Sequence, residues 1–157
     1  MRTRIISAFP GVGKSYYHKL HPETTLDSDS SLFSWVEQDG VKVRNLNFPA
    51  NYIAHIKANI GKYEFIFVSS HEEVRDALLD NCIFFYLMYP NDRDKDKYIQ
   101  RYKDRGSPPQ FIDLISTNWE KWLKELKFCE VGCKRVIVSM PIENEIRHII
   151  SSENGER

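Results

Sequence analysis

The sequence predicts a three-layer α/β/α fold on a five-stranded, mainly parallel sheet. Two observations predict it. Five apolar runs rich in β-branched and aromatic residues alternate with stretches whose apolar residues recur at helical spacing. The first run also leads through a glycine-bearing turn directly into a helix-forming segment. Parallel strands joined in this way bury both faces of their sheet under helices.

The elements follow in order. The first strand is expected at 4–9, Arg4-Ile-Ile-Ser-Ala-Phe9, and a helix continues from the turn through Tyr16-Tyr-His-Lys-Leu20. A second strand is expected at 24–28, with a short helix opening near Leu32-Phe-Ser-Trp35. Ile53, Ile56 and Ile60 share one face of a helix over 51–60. The third strand, 64–69, reads Glu64-Phe-Ile-Phe-Val-Ser69 and leads into a helix over 71–79. The fourth, 83–89, contains Phe84-Phe-Tyr-Leu-Met-Tyr89 and leads into a charged helical segment over 91–106. After Pro108-Pro109 comes the longest helix. Its apolar residues Phe111, Ile115, Trp119, Trp122 and Leu126 fall four, four, three and four apart, so its tryptophans read as core rather than as a base-stacking platform. A fifth strand at 135–139 and a helix at 142–150 complete a single domain over 1–150, and 151–157 reads as a flexible polar tail.

Composition narrows the function. The chain of 157 residues carries 22 Lys plus Arg against 22 Asp plus Glu, so its net charge is zero. A dedicated nucleic-acid binder usually has a basic bias, so nucleic acid is a possible but not a favoured partner. No apolar run approaches a membrane span, and the N-terminus lacks the apolar stretch of a secretion signal. A cytoplasmic protein is expected, and the three cysteines Cys82, Cys129 and Cys133 read as free thiols rather than metal ligands.

The turn is the most specific motif: Ala8-Phe-Pro-Gly-Val-Gly-Lys-Ser15. Strand, glycine turn and Gly-Lys-Ser opening a helix make a phosphate-binding loop. Gly11 and Gly13 free the backbone to turn N–H groups toward phosphate oxygens, and Pro10, Val12 and Tyr16 complete the nucleotide-binding stretch. Lys14 supplies a cation for the β- and γ-phosphates, and Ser15 a hydroxyl for magnesium. The loop signature starts on glycine, whereas position 8 is alanine. The chain resembles the P-loop NTPase superfamily here, and its Pro-Gly-x-Gly-Lys-Ser form looks most like the small nucleoside and nucleotide kinases, including phage-type ones.

Ligands of parallel sheets bind beyond the carboxyl ends of the strands, so those ends supply the remaining candidates. The second strand runs into Asp27-Ser28-Asp29-Ser30-Ser31. Two acids there suit a general base and a magnesium ligand; an Asx turn with a helix cap is the alternative. The resemblance to the Asp-x-Asp of small P-loop kinases implies Asp29 as base and Asp27 for magnesium, with the reverse assignment open. The third strand ends in Ser69-Ser70-His71 rather than in an acid, against a motor-type ATPase. Ser70, His71 and Arg75 are candidate acceptor contacts, each with a plain helix-cap or solvated reading beside it.

The resemblance further implies an acceptor arm over about 30–62, where Arg44, Asn45, Phe48 and Tyr52 can supply a cation, an amide and rings. It also implies a helical lid over about 91–106, with Arg101 and Arg105 closing on the transferred phosphoryl group and Gly106 as hinge. Arg93, Lys97, Arg101 and Arg105 recur every fourth residue, which equally describes a solvated charged helix. The expected activity is phosphoryl transfer from Mg2+-bound ATP to a nucleoside or nucleotide. A polynucleotide or modified-base kinase is one alternative, and a nucleotide-binding regulator without catalysis another.

Overall fold

The computed structural model describes residues 1–155. It is an α/β protein whose main sheet has five strands in the order β2-β5-β1-β6-β7, all parallel. These are β1 (Arg4–Ala8), β2 (Thr25–Asp27), β5 (Phe65–Ser69), β6 (Phe85–Pro90) and β7 (Cys133–Val138). The five sequence-predicted strands are all present, shifted by one or two residues at their ends. The central three are buried because helices cover both faces: Ile6, Ile66, Phe67, Val68, Phe85, Leu87 and Met88 have essentially no exposed surface.

Chain direction explains which helix covers which face. From β1 the chain moves two places along the sheet to β2 through α1 (Lys14–Leu20), then returns in steps to β5, β6 and β7. Parallel crossovers are right-handed, so the outward step and the return steps lie on opposite faces. The return carries α3 (Ala50–Asn59), α4 (Glu72–Asp80), α5 (Lys95–Asp104) and α6 (Pro109–Lys127). The last helix, α7 (Ile142–Gly155), packs beside α1. The order reverses at β1, so a crevice opens beyond its carboxyl end.

Three segments add to or differ from the expectations. First, the helix expected from Leu32 is a single turn, α2 (Ser31–Ser34), and Trp35 instead begins an antiparallel hairpin, β3 (Trp35–Gln38) with β4 (Val41–Arg44). Asp39 and Gly40 both take positive φ at its turn, 53° and 75°. Asp-Gly between two short runs was the signal for that hairpin. Second, the segment 91–106, expected to be helical, is a 3-10 turn at Asp92–Asp94 followed by α5. Its Tyr98 and Tyr102 are buried, Tyr98 against the core tryptophan Trp119 and Tyr102 edge-on to Phe111. Third, residues 151–155 of the expected tail belong to α7, while 156–157 lie outside the described residues. Glu153 fixes that last turn: its carboxylate accepts from the Tyr86 hydroxyl and pairs with the Arg4 guanidinium at 2.7 Å.

No helix among the described residues is long and apolar enough to cross a membrane.

Candidate functional site

The segment between β1 and α1 bends on two glycines, Gly11 with φ 89° and Gly13 with φ 109°. Both also sit where a side chain would collide. A Cβ on Gly11 would come within 2.8 Å of the Tyr102 ring, and one on Gly13 within 3.1 Å of the Ile142 side chain. The turn is therefore clamped between α5 and α7. Ala8, the departure from the loop signature, is the last residue of β1, in register with Ser69 and Met88. It has no positive φ and is 1% exposed, so alanine there carries no backbone strain.

The turn delivers Lys14 and Ser15 to the end of β2. Ser15 Oγ donates to Asp27 Oδ2 at 2.7 Å, and Lys14 Nζ lies 3.9 Å from Asp27 Oδ1. A hydroxyl, an ammonium and a carboxylate thus converge at the carboxyl edge of the sheet. Asp27 and Ser15 fit a magnesium ion that takes most of its shell from water and phosphate, since Mg2+ needs only one or two protein oxygens. No cluster of three or more His, Cys, Asp or Glu forms among the described residues. Asp29 stands apart. It is exposed, and its Oδ1 accepts from the Ser31 N–H at 2.9 Å, forming the Asx turn weighed as its alternative role.

Two clefts flank the turn. The first encloses about 420 Å3 between Gly11–Gly13, Tyr16, the α5 residues Lys97, Tyr98 and Arg101, and the loop from Val138 to Glu143. Arg101 is held in place by two contacts. Its guanidinium donates to the Gly11 carbonyl at 2.8 Å and lies 4.5 Å over the Tyr98 ring. Beside it the Tyr102 hydroxyl donates to the Pro10 carbonyl at 2.6 Å, and burial pushes that phenol well above its usual pKa. The sequence reading placed 138–143 at the end of the fifth strand and the start of the last helix and gave it no part in the site. Its signal was its position after the last strand of a parallel sheet.

The second cleft, about 360 Å3, lies between α4 and α6 beyond β1 and β5. Phe9, Pro10, Phe111 and Trp122 give it apolar walls, and Ser70, His71, Arg75 and the acids Glu72 and Glu125 give it polar ones. Three sequence-predicted acceptor contacts therefore meet in one cleft. Trp122, read from its spacing as core, is half-buried and forms part of that wall, whereas Trp119 is core. Arg75 is 8% exposed, and its Nε donates to the Ser70 carbonyl at 2.9 Å. No carboxylate pairs with it among the described residues. Partial desolvation of the His71 ring, with Lys14 and Arg75 nearby, lowers its pKa.

The structure leaves other candidates outside the clefts. Arg44 pairs with Glu73 at 2.7 Å and lies over the Trp35 and Phe48 rings. Tyr52 is fully buried, with its hydroxyl on the Ser28 carbonyl, and serves packing. Arg105 stacks over Tyr102 and Phe111 and donates to Ser107 Oγ, one layer outside Arg101.

No family model matches the chain. Over 92 residues it is 28% identical to a protein named transcription elongation factor SPT4 homolog 2 from Arabidopsis thaliana; the match spans 55% of this chain and 71% of that relative. A partial likeness at that identity assigns no family.

Proposed function

We propose that the chain is a Mg2+- and ATP-dependent phosphotransferase of P-loop kinase type, acting on a nucleoside or nucleotide. The observation that carries this reading is the convergence of Lys14 and Ser15 on Asp27, beside a turn that only glycine can make at two positions. Lys14 neutralises the β- and γ-phosphate oxygens. Ser15 and Asp27 hold the cation, which when bound draws charge from the transferred group. The base and ribose of ATP fill the cleft beside Arg101, and the acceptor fills the cleft between α4 and α6. Arg75, which makes no ion pair among the described residues, gives that second cleft a cation beside Glu72 and Glu125, and Phe111 and Trp122 give it ring faces. Asp29 receives the proton of an attacking hydroxyl. Its Oδ1 is fixed by Ser31, which leaves Oδ2 to accept.

The test is ATP consumption against a panel of nucleosides, nucleotides and oligonucleotides. ADP release stimulated by one acceptor class is expected, and Lys14→Ala abolishes it while circular dichroism stays native. Wild-type turnover in Lys14→Ala, or no stimulation across the panel, overturns the reading.

A specific observation favours a second reading, in which the acceptor is a nucleotide within a polynucleotide. Every residue of β3 is exposed. Lys42 and Arg44 lie 5.2 and 5.3 Å over the Trp35 ring. A ring flanked by two cations is a unit that stacks a base and meets a phosphate backbone. Labelled-phosphate transfer to an oligonucleotide, lost in Trp35→Ala but with nucleoside phosphorylation absent throughout, would select this reading over the first.

A further inference from the structure

Where β2 ends, a side chain takes the place of one rung of the sheet. In a parallel ladder a bonded residue gives its N–H to one partner residue and takes the N–H of the residue two further on. The β2–β5 pair begins this way, with Ser28 N–H donating to the Phe67 carbonyl at 2.9 Å. The next rung would run from Ser69 N–H to the Ser28 carbonyl, and that bond is not formed. The Tyr52 hydroxyl sits between the two groups. It donates to the Ser28 carbonyl at 2.7 Å and accepts from Ser69 N–H at 3.4 Å. β2 accordingly ends at Asp27, while β5 continues to Ser69.

This wedge is firmly held. Tyr52 has no exposed surface, its ring stacks on Phe48 with centroids 6.1 Å apart, and Phe33 packs tilted against it at 5.2 Å. Burial, opposed by Ser28 and Ser69, pushes its pKa up to about 12, so the phenol keeps its proton at neutral pH and goes on donating. The Ser28 Oγ is itself buried and makes no hydrogen bond among the described residues. Among those residues Tyr52 is the one group bonded to the Ser28–Asp29 peptide.

We propose that Tyr52 is a positioning residue for Asp29. Its ring serves packing; its hydroxyl holds the ends of β2 and β5 apart and fixes the peptide that leads into Asp29. The inference rests on the reading of Asp29 as the base of a phosphotransferase. Two bonds then place that base: Tyr52 holds its backbone from one side, and Ser31 N–H holds its Oδ1 from the other. Asp27 is placed by other means, by its ladder position opposite Phe67 and by Ser15 and Lys14. The Tyr52 hydroxyl therefore bears on one acid and not on the other. Without it, Ser69 N–H and the Ser28 carbonyl are free to complete the rung, and the chain beyond Ser28 is drawn toward β5. A displaced base slows transfer without weakening the hold on ATP.

The test is a cycle of Tyr52→Phe, Asp29→Asn and the double variant. It reads steady-state ADP release beside calorimetric ATP binding. The acceptor probe is a mixture of ribo- and deoxynucleosides, their 5′-monophosphates and a single-stranded oligonucleotide. Tyr52→Phe should turn over on the order of ten- to a hundredfold slower, with ATP affinity and Mg2+ dependence unchanged. In the Asp29→Asn background the same change should lower the rate no further, because a base that is absent cannot be misplaced. An effect that multiplies with that of Asp29→Asn overturns the proposal. So does a Tyr52→Phe variant that turns over like wild type, or one that loses ATP binding along with rate. If Tyr52→Phe does not fold, Phe48→Leu, which loosens the ring stack, is judged by the same cycle: it should slow the wild type and leave Asp29→Asn unchanged. All of these results leave the phosphotransferase reading standing. Wild-type turnover in Asp29→Asn overturns this inference and still leaves that reading. A wild type whose ADP release the mixture does not stimulate overturns both.

Discussion

Ser15 Oγ donates to Asp27 Oδ2 at 2.7 Å, and so ties the first turn of α1 to the end of β2. The same carboxylate has Lys14 Nζ at 3.9 Å on its other oxygen. Asp29, two residues on, reaches neither, and its Oδ1 is committed to the Ser31 N–H. The two aspartates are separated by the end of β2 at Asp27, beyond which the chain turns into α2. Alternation along a strand no longer relates their side chains there. One acid belongs to the phosphate turn and the other to the start of the hairpin segment.

That separation predicts different losses. Asp27→Asn keeps an oxygen for Ser15 but removes the charge beside Lys14 and the cation. Turnover should fall about a hundredfold or more, with a raised Mg2+ requirement. Asp29→Asn should lower turnover by about the same factor with ATP affinity and Mg2+ dependence unchanged, as loss of a general base does. Steady-state ADP release across a Mg2+ titration, beside calorimetric ATP binding, separates the two. Wild-type turnover in Asp29→Asn would reduce Asp29 to the turn residue that its bond to Ser31 makes it.

Arg101 and Arg105 should also part company. Arg101 holds the Gly11 carbonyl, so Arg101→Ala should weaken ATP binding and slow transfer together, each by about tenfold. Arg105, one turn further out, should affect transfer alone or nothing. Hydrogen exchange provides a second measurement. With Tyr98 and Tyr102 buried, amides of α5 should be protected before any nucleotide is added, and 105–108 should change most on binding. Fast exchange throughout α5 in the nucleotide-free protein would restore the picture of a free lid.

The strands and long helices were legible because each carries its own period: a short β-branched run, or apolar residues three and four apart. The glycine turn was legible because its chemistry is local, with Gly11 to Ser15 contiguous. The β3–β4 hairpin was legible from Asp39-Gly40 and from the alternation of Val41-Lys-Val-Arg44, but each strand is only four residues long and β3, Trp35-Val-Glu-Gln38, does not alternate. What one sequence does not show is long-range partnership. Nothing near Glu153 announces Arg4 or Tyr86, and nothing near Glu145 announces the amides of Ser139 and Met140, which donate to its carboxylate. A polar residue late in a chain reads as solvated until the fold brings its partner. The same limit hid the packing of 91–106, since its charges are visible in sequence and the burial of Tyr98 and Tyr102 is not.

Glu153 yields a stability prediction with a defined pH window. Burial alone would raise its pKa, but the Tyr86 hydroxyl and the Arg4 and Arg2 guanidinium groups outweigh that and hold it below the usual carboxylate value of 4.5. A depressed folded-state pKa contributes stability above the unfolded value, lost as pH falls through the folded one. Glu153→Gln should therefore cost about 3 kcal/mol at neutral pH, the scale of a broken, largely buried ion pair. The deficit should shrink at an acid pH below the depressed folded pKa, where the wild-type carboxylate is protonated as well. Urea melts of both proteins at the two pH values check this. An unchanged midpoint at neutral pH would mean that the end of α7 does not brace the sheet.

The last prediction concerns Cys129 and Cys133, whose sulfurs lie 3.0 Å apart across the turn from α6 into β7. Both thiols are free, and Cys82 is a third, exposed one. Burial, and then the neighbouring Cys129, push the Cys133 pKa up to about 12, so this thiol is a poor first nucleophile. Attack on an added small disulfide such as oxidised glutathione should start at Cys129, giving a mixed disulfide and one reduced glutathione. Cys133 then displaces the second glutathione and closes the Cys129–Cys133 bond, so two protein thiols are oxidised for each small disulfide reduced. The sulfurs are already in contact, so closure needs little movement. Alkylation after treatment should modify one cysteine, Cys82, and the mass should fall by two hydrogens. Closing so short a ring stabilises by roughly 2 kcal/mol at most in the chain-entropy picture, so Tm should rise by a few degrees and return with dithiothreitol. If all three cysteines alkylate after oxidation, or the product is a Cys82-linked dimer, the 3.0 Å contact is one of packing without redox consequence.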